Sequence, residues 1–299
     1  MEWLLFLLAL AIAPLLPGWI NKVKALFAGR RGPPLLQLYR DLWKLARKET
    51  VESEELSVLG HYAPALIAGT AIMALTVLPI GDASLLAFPG DFIVLVYLLV
   101  LGRLLLALAA LDTGSSFQGM GVSRELLLAA LAEPAFLLGL TVLVLGTHQL
   151  TLSGIFTNSL PYVGTAAVPA LVLAGVVFLL VALAENARIP YDDPNTHLEL
   201  TMIHEVMILD YSGLNLAFVL YASSLKLLLF CALLGRLILP LPIAGNLASA
   251  ASALVGTLLV ATLIGVIESL NARVRLIRIS HLLGTATAIA VLALLLTLS

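Results

Sequence analysis

The sequence is dominated by apolar runs that recur from one end of the chain to the other. Each run holds about twenty residues, enough to cross a hydrocarbon core roughly 30 Å thick. Soluble domains are about half apolar and about a quarter charged, whereas this chain is 61% hydrophobic and 11% charged. We therefore expect an all-α, polytopic integral membrane protein that forms a single membrane domain over residues 1–299. The eight predicted spans are 3–20, 62–80, 91–111, 125–147, 164–184, 214–236, 246–267 and 280–298.

Basic residues are concentrated in one set of connections between these spans. Eight of the sixteen Lys and Arg lie in residues 21–60, whereas the opposite set has only Arg236 at its margin. Five further arginines lie on the basic side: Arg124, Arg188, Arg273, Arg275 and Arg278. Lys and Arg accumulate in cytoplasmic loops, so we expect this side to face the cytoplasm and both termini to face away from it. The first run has no small-residue cleavage site and is expected to remain as a span.

The first cytoplasmic connection, residues 21–60, is predicted to be a docking loop. Its glycines and prolines at 29–34 form a turn signal. Apolar residues then follow at three- and four-residue spacing over 35–48, which is typical of an amphipathic helix at the membrane interface. Such a helix could rest on anionic headgroups or bind a partner protein, and the two are compatible. The docking candidates in this loop are Arg30, Arg31, Gly32, Pro33, Asp41 and Lys44.

Residues 185–213, "ENARIPYDDPNTHLELTMIHEVMILDYSG", form an acidic loop and helix on the same face. They carry six acids and one base, Arg188. The Asp-Pro pair at 193–194 is typical of a helix start. A Thr-x-x-Glu pattern ending at Glu199 could instead be a capping box, which would give Glu199 a structural role. The helix is expected to reach about Asp210, and its acids lie on different faces at 3.6 residues per turn. It should therefore contact polar protein or water.

Ionisable residues also lie inside the predicted spans. Arg103 and Glu133 are at matching depth on consecutive antiparallel spans, and an unpaired charge at that depth is costly. We therefore expect the two to be within salt-bridge or single-water distance, although snorkelling is an alternative for Arg103. Lys226 is about twelve residues into the sixth span. Glu185 and Glu268 are closer to the interface, where simple solvation explains them at least as well.

These acids suggest a path for protons. Carboxyls in partly desolvated sites near other acids bind and release protons near neutral pH, so Glu199 and Glu205 are predicted relay members, with Glu133 deeper in the membrane. The full set of proton-path candidates is Glu199, Glu205, Glu133, Asp210, Glu185, Lys226 and Arg103. Arg188, Asp192 and Asp193 are instead predicted to take part in docking.

The sequence offers no redox or hydrolytic centre of its own. Its one cysteine, Cys231, cannot supply the four ligands of an iron–sulfur cluster. His197 and His204 alone would make a poor metal site. Neither a Gly-rich phosphate loop nor a nucleophile elbow nor a nucleic-acid-binding pattern is present. We expect this chain to bind no metal or cofactor and no nucleic acid.

Two segments resemble a known family. "GRRGPPLLQLYRDLWKLARKE" is similar to the segment after the first span of the membrane protein known as subunit 1 of respiratory complex I, which has G-R-x-G-P followed by Q-x-Y-x-D-x-x-K-L. The acidic stretch resembles that family's motif A-E-x-N-R-x-P-F-D-x-P-E-x-E-S-E-L. Tyr191 replaces the motif's Phe, and the residues that align are Ala184, Glu185, Arg188, Pro190, Asp192, Pro194, Glu199, Leu200 and Asp210.

The departures from that motif resemble one branch of the superfamily. "DDPNTHLELTMIHE" is similar to the homologous subunit of group 4 membrane-bound nickel–iron hydrogenases, such as formate hydrogenlyase and hydrogenase-4. "QGMGVSRELLLAALAEPAFLLGL" and "IESLNARVRLIR" also resemble that branch. In the family this subunit anchors a cytoplasmic arm that carries the clusters and the active site, in a prokaryotic plasma membrane. The resemblance implies a [NiFe] centre and iron–sulfur clusters in partner subunits.

The same resemblance names the expected partners. These are the large and small hydrogenase subunits, a ferredoxin-like subunit, antiporter-like membrane subunits and the lipid bilayer. Two other functions stay open: the quinone-site subunit of a complex I-like NADH-quinone oxidoreductase, and a stand-alone cation or proton secondary transporter. The sequence shows no internal repeat of the kind that many transporters have, and its long charged connections all lie on one side, which favours a docked subunit.

Overall fold

The structure is a computed structural model that describes residues 2–51, 56–157, 168–192, 202–239 and 246–298. These residues form helices joined by turns and loops, and none of them lies in a strand. The helices of the described chain are α1 (Glu2–Ile12), α2 (Leu15–Phe27), α3 (Gln37–Ala46), α4 (Val58–Val77), α5 (Asp91–Asp112), α6 (Ser116–Thr147), α7 (Leu152–Thr157), α8 (Val168–Glu185), α9 (His204–Met207), α10 (Gly213–Ile238), α11 (Asn246–Leu270) and α12 (Leu276–Leu298).

Seven of these helices are long and apolar enough to cross a membrane: α4, α5, α6, α8, α10, α11 and α12. Helices α1 and α2 together form an eighth candidate span that bends by 47°. This confirms the predicted all-α membrane fold with about eight spans. The bend falls at Ala13 and Pro14, where proline cannot donate a backbone hydrogen bond. Helix α6 begins before the predicted residue 125, because its polar first turns, residues 116–125, add nothing to an apolar run.

Close packing of small and aromatic residues holds the bundle together. Phe136 of α6 lies 5.6 Å from Phe178 of α8 and 5.3 Å from Phe230 of α10, measured between ring centroids, and all three are buried. A Cβ atom added at Gly235 of α10 would lie 2.5 Å from the carbonyl carbon of Gly256 of α11. Small residues allow such close backbone approach between membrane helices, so this contact requires glycine.

Helix α3 lies outside the bundle and contacts α2 and α10. The turn before it has positive φ at Gly29 (64°) and Gly32 (55°), as the predicted turn requires. The Tyr39 hydroxyl donates a hydrogen bond to the Ala11 carbonyl at the α1–α2 break. Helix α3 is thus fixed to the bent span, and the amphipathic helix predicted over 35–48 is present over a slightly shorter range.

The acidic stretch differs from the expected single helix. Its described part contains one short helix, α9, which ends at Met207 and is followed by a turn through Asp210. Asp193, Glu199 and the predicted helix start at 193–194 lie outside the described residues. The helix expected to reach about Asp210 therefore ends earlier, and α10 begins immediately after the turn, at Gly213.

Candidate functional site

Arg103 lies inside the bundle and is shared among three carboxylates. Its side chain, on α5, is only 5% exposed. The guanidinium donates to Glu133 of α6 through Nη1 and to Glu185 at the end of α8 through Nη2. Its Nε atom is 3.5 Å from Oε1 of Glu125, also on α6. The predicted pairing of Arg103 with Glu133 is confirmed, and two further acids join it.

Glu185 connects this group to a second cation. Its Oε2 atom accepts a hydrogen bond from Nζ of Lys226, on α10, at 3.3 Å. We refer to these five side chains as the Arg103 cluster: Arg103, Glu125, Glu133, Glu185 and Lys226. Buried charges persist when they are paired and hydrogen-bonded. The cluster has one more carboxylate than it has cations, so a proton can be taken up without leaving a cation unpaired.

The members of the Arg103 cluster differ in their access to the surface. The Glu185 side chain is 6% exposed, whereas that of Glu133 is 34% exposed. Glu133 sits within the membrane-spanning part of α6. An acid at this depth faces either a neighbouring protein or a water-filled space rather than lipid. Glu133 is therefore the point at which the cluster reaches the lateral surface of the chain.

A cavity of about 140 Å³ adjoins the cluster. Arg103, Glu125, Glu185 and Lys226 lie on its wall together with other charged and polar groups, and apolar side chains of α4, α5 and α10 complete it. One water molecule needs roughly 10–15 Å³ on such a measure, so the cavity has room for several. The predicted relay member Glu205, on α9, also lines it.

His204 lines the same cavity beside Glu205. Burial lowers the pKa of this imidazole to about 4, and the positive charges of Lys226 and Arg103 lower it further in the same direction. The ring is therefore neutral near pH 7 and can both donate and accept a hydrogen bond. Sequence reasoning considered His204 only as a metal ligand and missed its position in the cavity.

Asp192 fixes the segment that carries His204. Its Oδ2 atom accepts hydrogen bonds from the backbone N–H groups of Ile203 and His204, each at 3.2 Å. Its Oδ1 atom lies 3.0 Å from Nη2 of Arg273. The Asp192 side chain is buried by these contacts. The structure thus gives Asp192 partners within this chain, whereas the sequence predicted a docking contact.

A second buried ion pair joins the loop after α8 to α2 and α11. Glu268 of α11 contacts Nζ of Lys24 at 2.7 Å and Nη1 of Arg188 at 3.3 Å, and its side chain is fully buried. Of the two explanations left open for Glu185 and Glu268, simple solvation at the interface does not hold, because both side chains are buried and have cationic partners. Arg188, predicted to dock a partner, is likewise engaged within this chain.

The other predicted residues lie in the docking loop, residues 21–60, and just before α10. Arg30, Arg31, Gly32, Pro33 and Lys44 are exposed. Asp41 is partly buried and accepts hydrogen bonds from the side-chain amide of Gln37 at 3.0 and 3.1 Å. Asp210 is exposed next to the start of α10.

Sequence reasoning missed four members of these networks: Glu125, Lys24, Arg273 and His204. Glu125 follows Arg124 at the edge of an apolar run, so it looks like an ordinary interface residue. Its spacing of eight residues from Glu133 on one helix is the only local sign that both could approach the same partner. Among the described residues, no group of three or more His, Cys, Asp and Glu side chains is arranged to hold a metal ion.

Comparisons with known proteins agree with this architecture. The sequence profile of the NADH dehydrogenase family matches residues 1–298. The chain is similar to hydrogenase-4 component C of Escherichia coli (strain K12), with 33% identity over 294 residues that cover 95% of this chain and 91% of that protein. It is also similar to formate hydrogenlyase subunit 4 of the same organism, with 33% identity over 221 residues that cover 74% and 71%.

A solved structure shares the fold. A chain of the membrane-bound sulfane sulfur reductase, an archaeal respiratory membrane complex, superposes with a TM-score of 0.84. The alignment covers 99% of this chain and 98% of that one, at 20% sequence identity. The overall arrangement of the helices therefore belongs to a fold already known in a respiratory membrane complex.

Proposed function

Because the chain belongs to the NADH dehydrogenase family, we propose that it is the membrane-anchor and proton-coupling subunit of a membrane-bound nickel–iron hydrogenase complex. Its similarity to hydrogenase-4 component C and to formate hydrogenlyase subunit 4 supports the hydrogenase assignment. The complex lies in a prokaryotic plasma membrane. The basic connections face the cytoplasm, and both termini face the other side.

The observation that carries the coupling role is the position of the Arg103 cluster. It connects a cavity lined by His204 and Glu205 with Glu133, which reaches the lateral surface of α6. Titratable groups are thus spaced between the charged face and the membrane interior, and the cavity has room for water between them. Proton relays need groups at such short intervals.

Arg103 can direct the protons because it holds several carboxylates at once. While all three acids are ionised, one guanidinium is divided among them and satisfies each only in part. A proton that arrives at Glu125 or Glu185 from the cavity neutralises that acid and strengthens the contact between Arg103 and the remaining acids. Transfer onward to Glu133 leaves that acid neutral, and release of the proton from Glu133 restores the first state. Lys226 pairs with Glu185 whenever that acid is ionised.

The redox chemistry belongs to partner subunits. Cys231 is the single cysteine of the chain, and an iron–sulfur cluster needs about four cysteine ligands. The large and small hydrogenase subunits and a ferredoxin-like subunit supply the nickel–iron centre and the clusters, docked on the face that carries α3. Antiporter-like membrane subunits receive protons from Glu133 at the lateral surface.

Purification of the tagged full chain from its native membrane tests this assignment. We expect soluble subunits that contain nickel and iron to copurify, as measured by elemental analysis and mass spectrometry of the eluted complex. A chain that elutes alone after mild detergent extraction would favour the stand-alone transporter and contradict the proposal.

The cavity supports one alternative, the quinone-site subunit of a complex I-like enzyme. Its wall combines the Arg103 cluster with apolar side chains such as Leu99 and Leu106, and small-molecule sites are commonly apolar with a few polar groups. Solvent extraction of the purified complex separates the two functions. A stoichiometric quinone in the extract, together with an NADH-oxidising arm, would favour the alternative.

A further inference from the structure

A second cavity, of about 320 Å³, lies on the other side of the bent first span. It is bounded by α1, α2, α4, α10 and α11, and by Leu35 just before α3. Leu8, Trp19, Leu35 and Leu254 line it and are each more than a third exposed. The cavity therefore opens sideways, on the surface of the spans, and is separate from the cavity beside the Arg103 cluster.

The wall of this second cavity is apolar. Only Trp19 and Thr257 carry polar side-chain atoms among the residues that line it. The Trp19 indole donates a hydrogen bond to Thr262 at 3.0 Å, and the Thr257 hydroxyl donates one to the Ala253 carbonyl at 2.7 Å. Neither polar group needs a further partner. An apolar cavity of this kind does not hold water and accepts hydrocarbon.

The bend in the first span creates the space. Ile12 and Leu15, which flank the 47° break, both line the cavity. A straight helix would lie flat against its neighbours, whereas the bend sets the two halves of the span at 47° to each other and leaves a gap between them and α10 and α11. An empty gap would deprive all of these side chains of dispersion contacts. A flexible hydrocarbon chain that enters from the side restores them.

Basic residues are close in the chain to Trp19 and Leu35, which line one end of the same cavity. Lys22 follows Trp19 by three residues on α2, so the two share a helix face. The Lys22 ammonium group donates a hydrogen bond to the Arg31 carbonyl at 3.2 Å. Lys22, Arg30 and Arg31 are exposed, and Trp19 is of the residue type enriched where membrane meets water. This end therefore combines an interfacial aromatic residue with positive charge at headgroup level.

We propose that this cavity binds one acyl chain of an anionic phospholipid, whose phosphate is bound by Lys22 and Arg31. The apolar wall accepts the chain, and the basic end selects the negative headgroup, since basic residues near the surface favour anionic lipid. The lipid fills the gap behind the bend and connects the docking loop to α10 and α11. It is a structural ligand, distinct from any molecule in the cavity beside the Arg103 cluster.

Native mass spectrometry of the tagged full chain or its complex, released from nanodiscs, tests the proposal. The nanodiscs contain phosphatidylglycerol and phosphatidylcholine with equal acyl chains. We expect one tightly retained phospholipid per chain, with phosphatidylglycerol retained at least severalfold more often. Ala253→Phe, which fills the cavity from α11, should remove it. The matched control is Ala251→Phe, because Ala251 is exposed on the same helix and lies outside the cavity.

A second variant addresses the headgroup and is measured on the isolated chain, because Arg31 is also a docking candidate for the cytoplasmic arm. Lys22→Gln with Arg31→Gln should leave a lipid bound but abolish the preference for phosphatidylglycerol. Retention of the lipid by Ala253→Phe would overturn the proposal, as would an unchanged preference in the Lys22 and Arg31 variant. A retained lipid in the isolated chain that is lost in the assembled complex would also overturn it, because a partner helix would then be the occupant.

Discussion

At the scale of single residues, the arrangement around Arg103 explains why so apolar a chain keeps charges at depth. Arg103 is held by Glu133 and Glu185, which lie 30 and 82 positions away along the chain. The desolvation of each charge is offset only while its partners stay in place. Removing one partner should therefore lower the free energy of unfolding by a large amount, whereas removing two opposite charges together should lower it less.

The first prediction concerns the pairing of Arg103 with its carboxylates. Arg103→Met should destabilise the protein by about 3–5 kcal/mol, the usual cost of leaving a buried charge without its partner. Adding Glu133→Gln should restore part of the lost stability, because it removes a carboxylate that no longer has Arg103 as its partner. Glu185 still has Lys226 as a partner. Thermal unfolding in detergent measures both variants, with Lys44→Met at the exposed surface as control. Equal stability of Arg103→Met and the control would show that the cluster is not paired.

The second prediction concerns His204, whose pKa is lowered to about 4 in the folded protein. The unfolded chain has an imidazole pKa near 6.5 and binds the proton first as the pH falls. The contribution of neutral His204 to stability is therefore complete above about pH 6.5 and is lost as the pH falls toward 4. His204→Gln should flatten the dependence of the melting temperature on pH in this window. If the melting temperature of the variant depends on pH as it does in the unaltered protein, the His204 imidazole is exposed to water and not buried.

At the scale of helices and loops, the docking loop and the acidic loop are joined directly. The Ser212 hydroxyl accepts a hydrogen bond from the Val51 N–H at 2.7 Å and donates one to the Val51 carbonyl at 2.9 Å. Gly213, with φ of 52°, lies against the backbone of Lys48 and Glu49. The loop that follows α3 is thus attached to the start of α10, the helix that carries Lys226.

The third prediction tests this junction. Ser212→Ala removes both hydrogen bonds, each worth roughly 0.5–1.5 kcal/mol net. Hydrogen exchange at the Val51 amide should become roughly two- to tenfold faster as a result. Ser123→Ala is the control, because the Ser123 hydroxyl donates its hydrogen bond within its own helix, to the Met120 carbonyl. An unchanged exchange rate at Val51 would mean that other contacts hold the two loops together.

The fourth prediction concerns the face that binds the soluble subunits. Arg30 and Arg31 are exposed beside the Gly32 turn and can donate paired hydrogen bonds to acidic partner surface. Arg30→Glu with Arg31→Glu should detach the cytoplasmic arm and leave the chain inserted, as measured by copurification at ordinary salt. Arg275→Glu with Arg278→Glu makes the same charge change at the exposed start of α12 and should keep the arm. If the arm stays bound to both variants, the docking loop contacts only lipid.

At the scale of the whole molecule, the spans and the Arg103–Glu133 pair could be predicted, but most of the site could not. Apolar length alone locates the spans, and equal depth on neighbouring spans indicates which charges meet. Glu268 looks like an interfacial acid because its partners, Lys24 and Arg188, come from distant segments. The bend at Pro14 also could not be predicted from hydropathy, since the apolar run continues through it. Contacts that depend on three-dimensional packing leave no local pattern.

The measurement closest to the central claim is proton movement by the intact complex in inverted membrane vesicles. Glu133→Gln keeps the size and hydrogen bonding of the side chain but cannot carry a proton. We predict that this variant assembles, keeps electron transfer to artificial carriers and loses most of the redox-driven acidification of the vesicle lumen, followed with a pH-sensitive dye. Glu49→Gln, an exposed acid in the docking loop, should keep it. Full acidification by Glu133→Gln, equal to that of Glu49→Gln, would contradict a proton route through the Arg103 cluster.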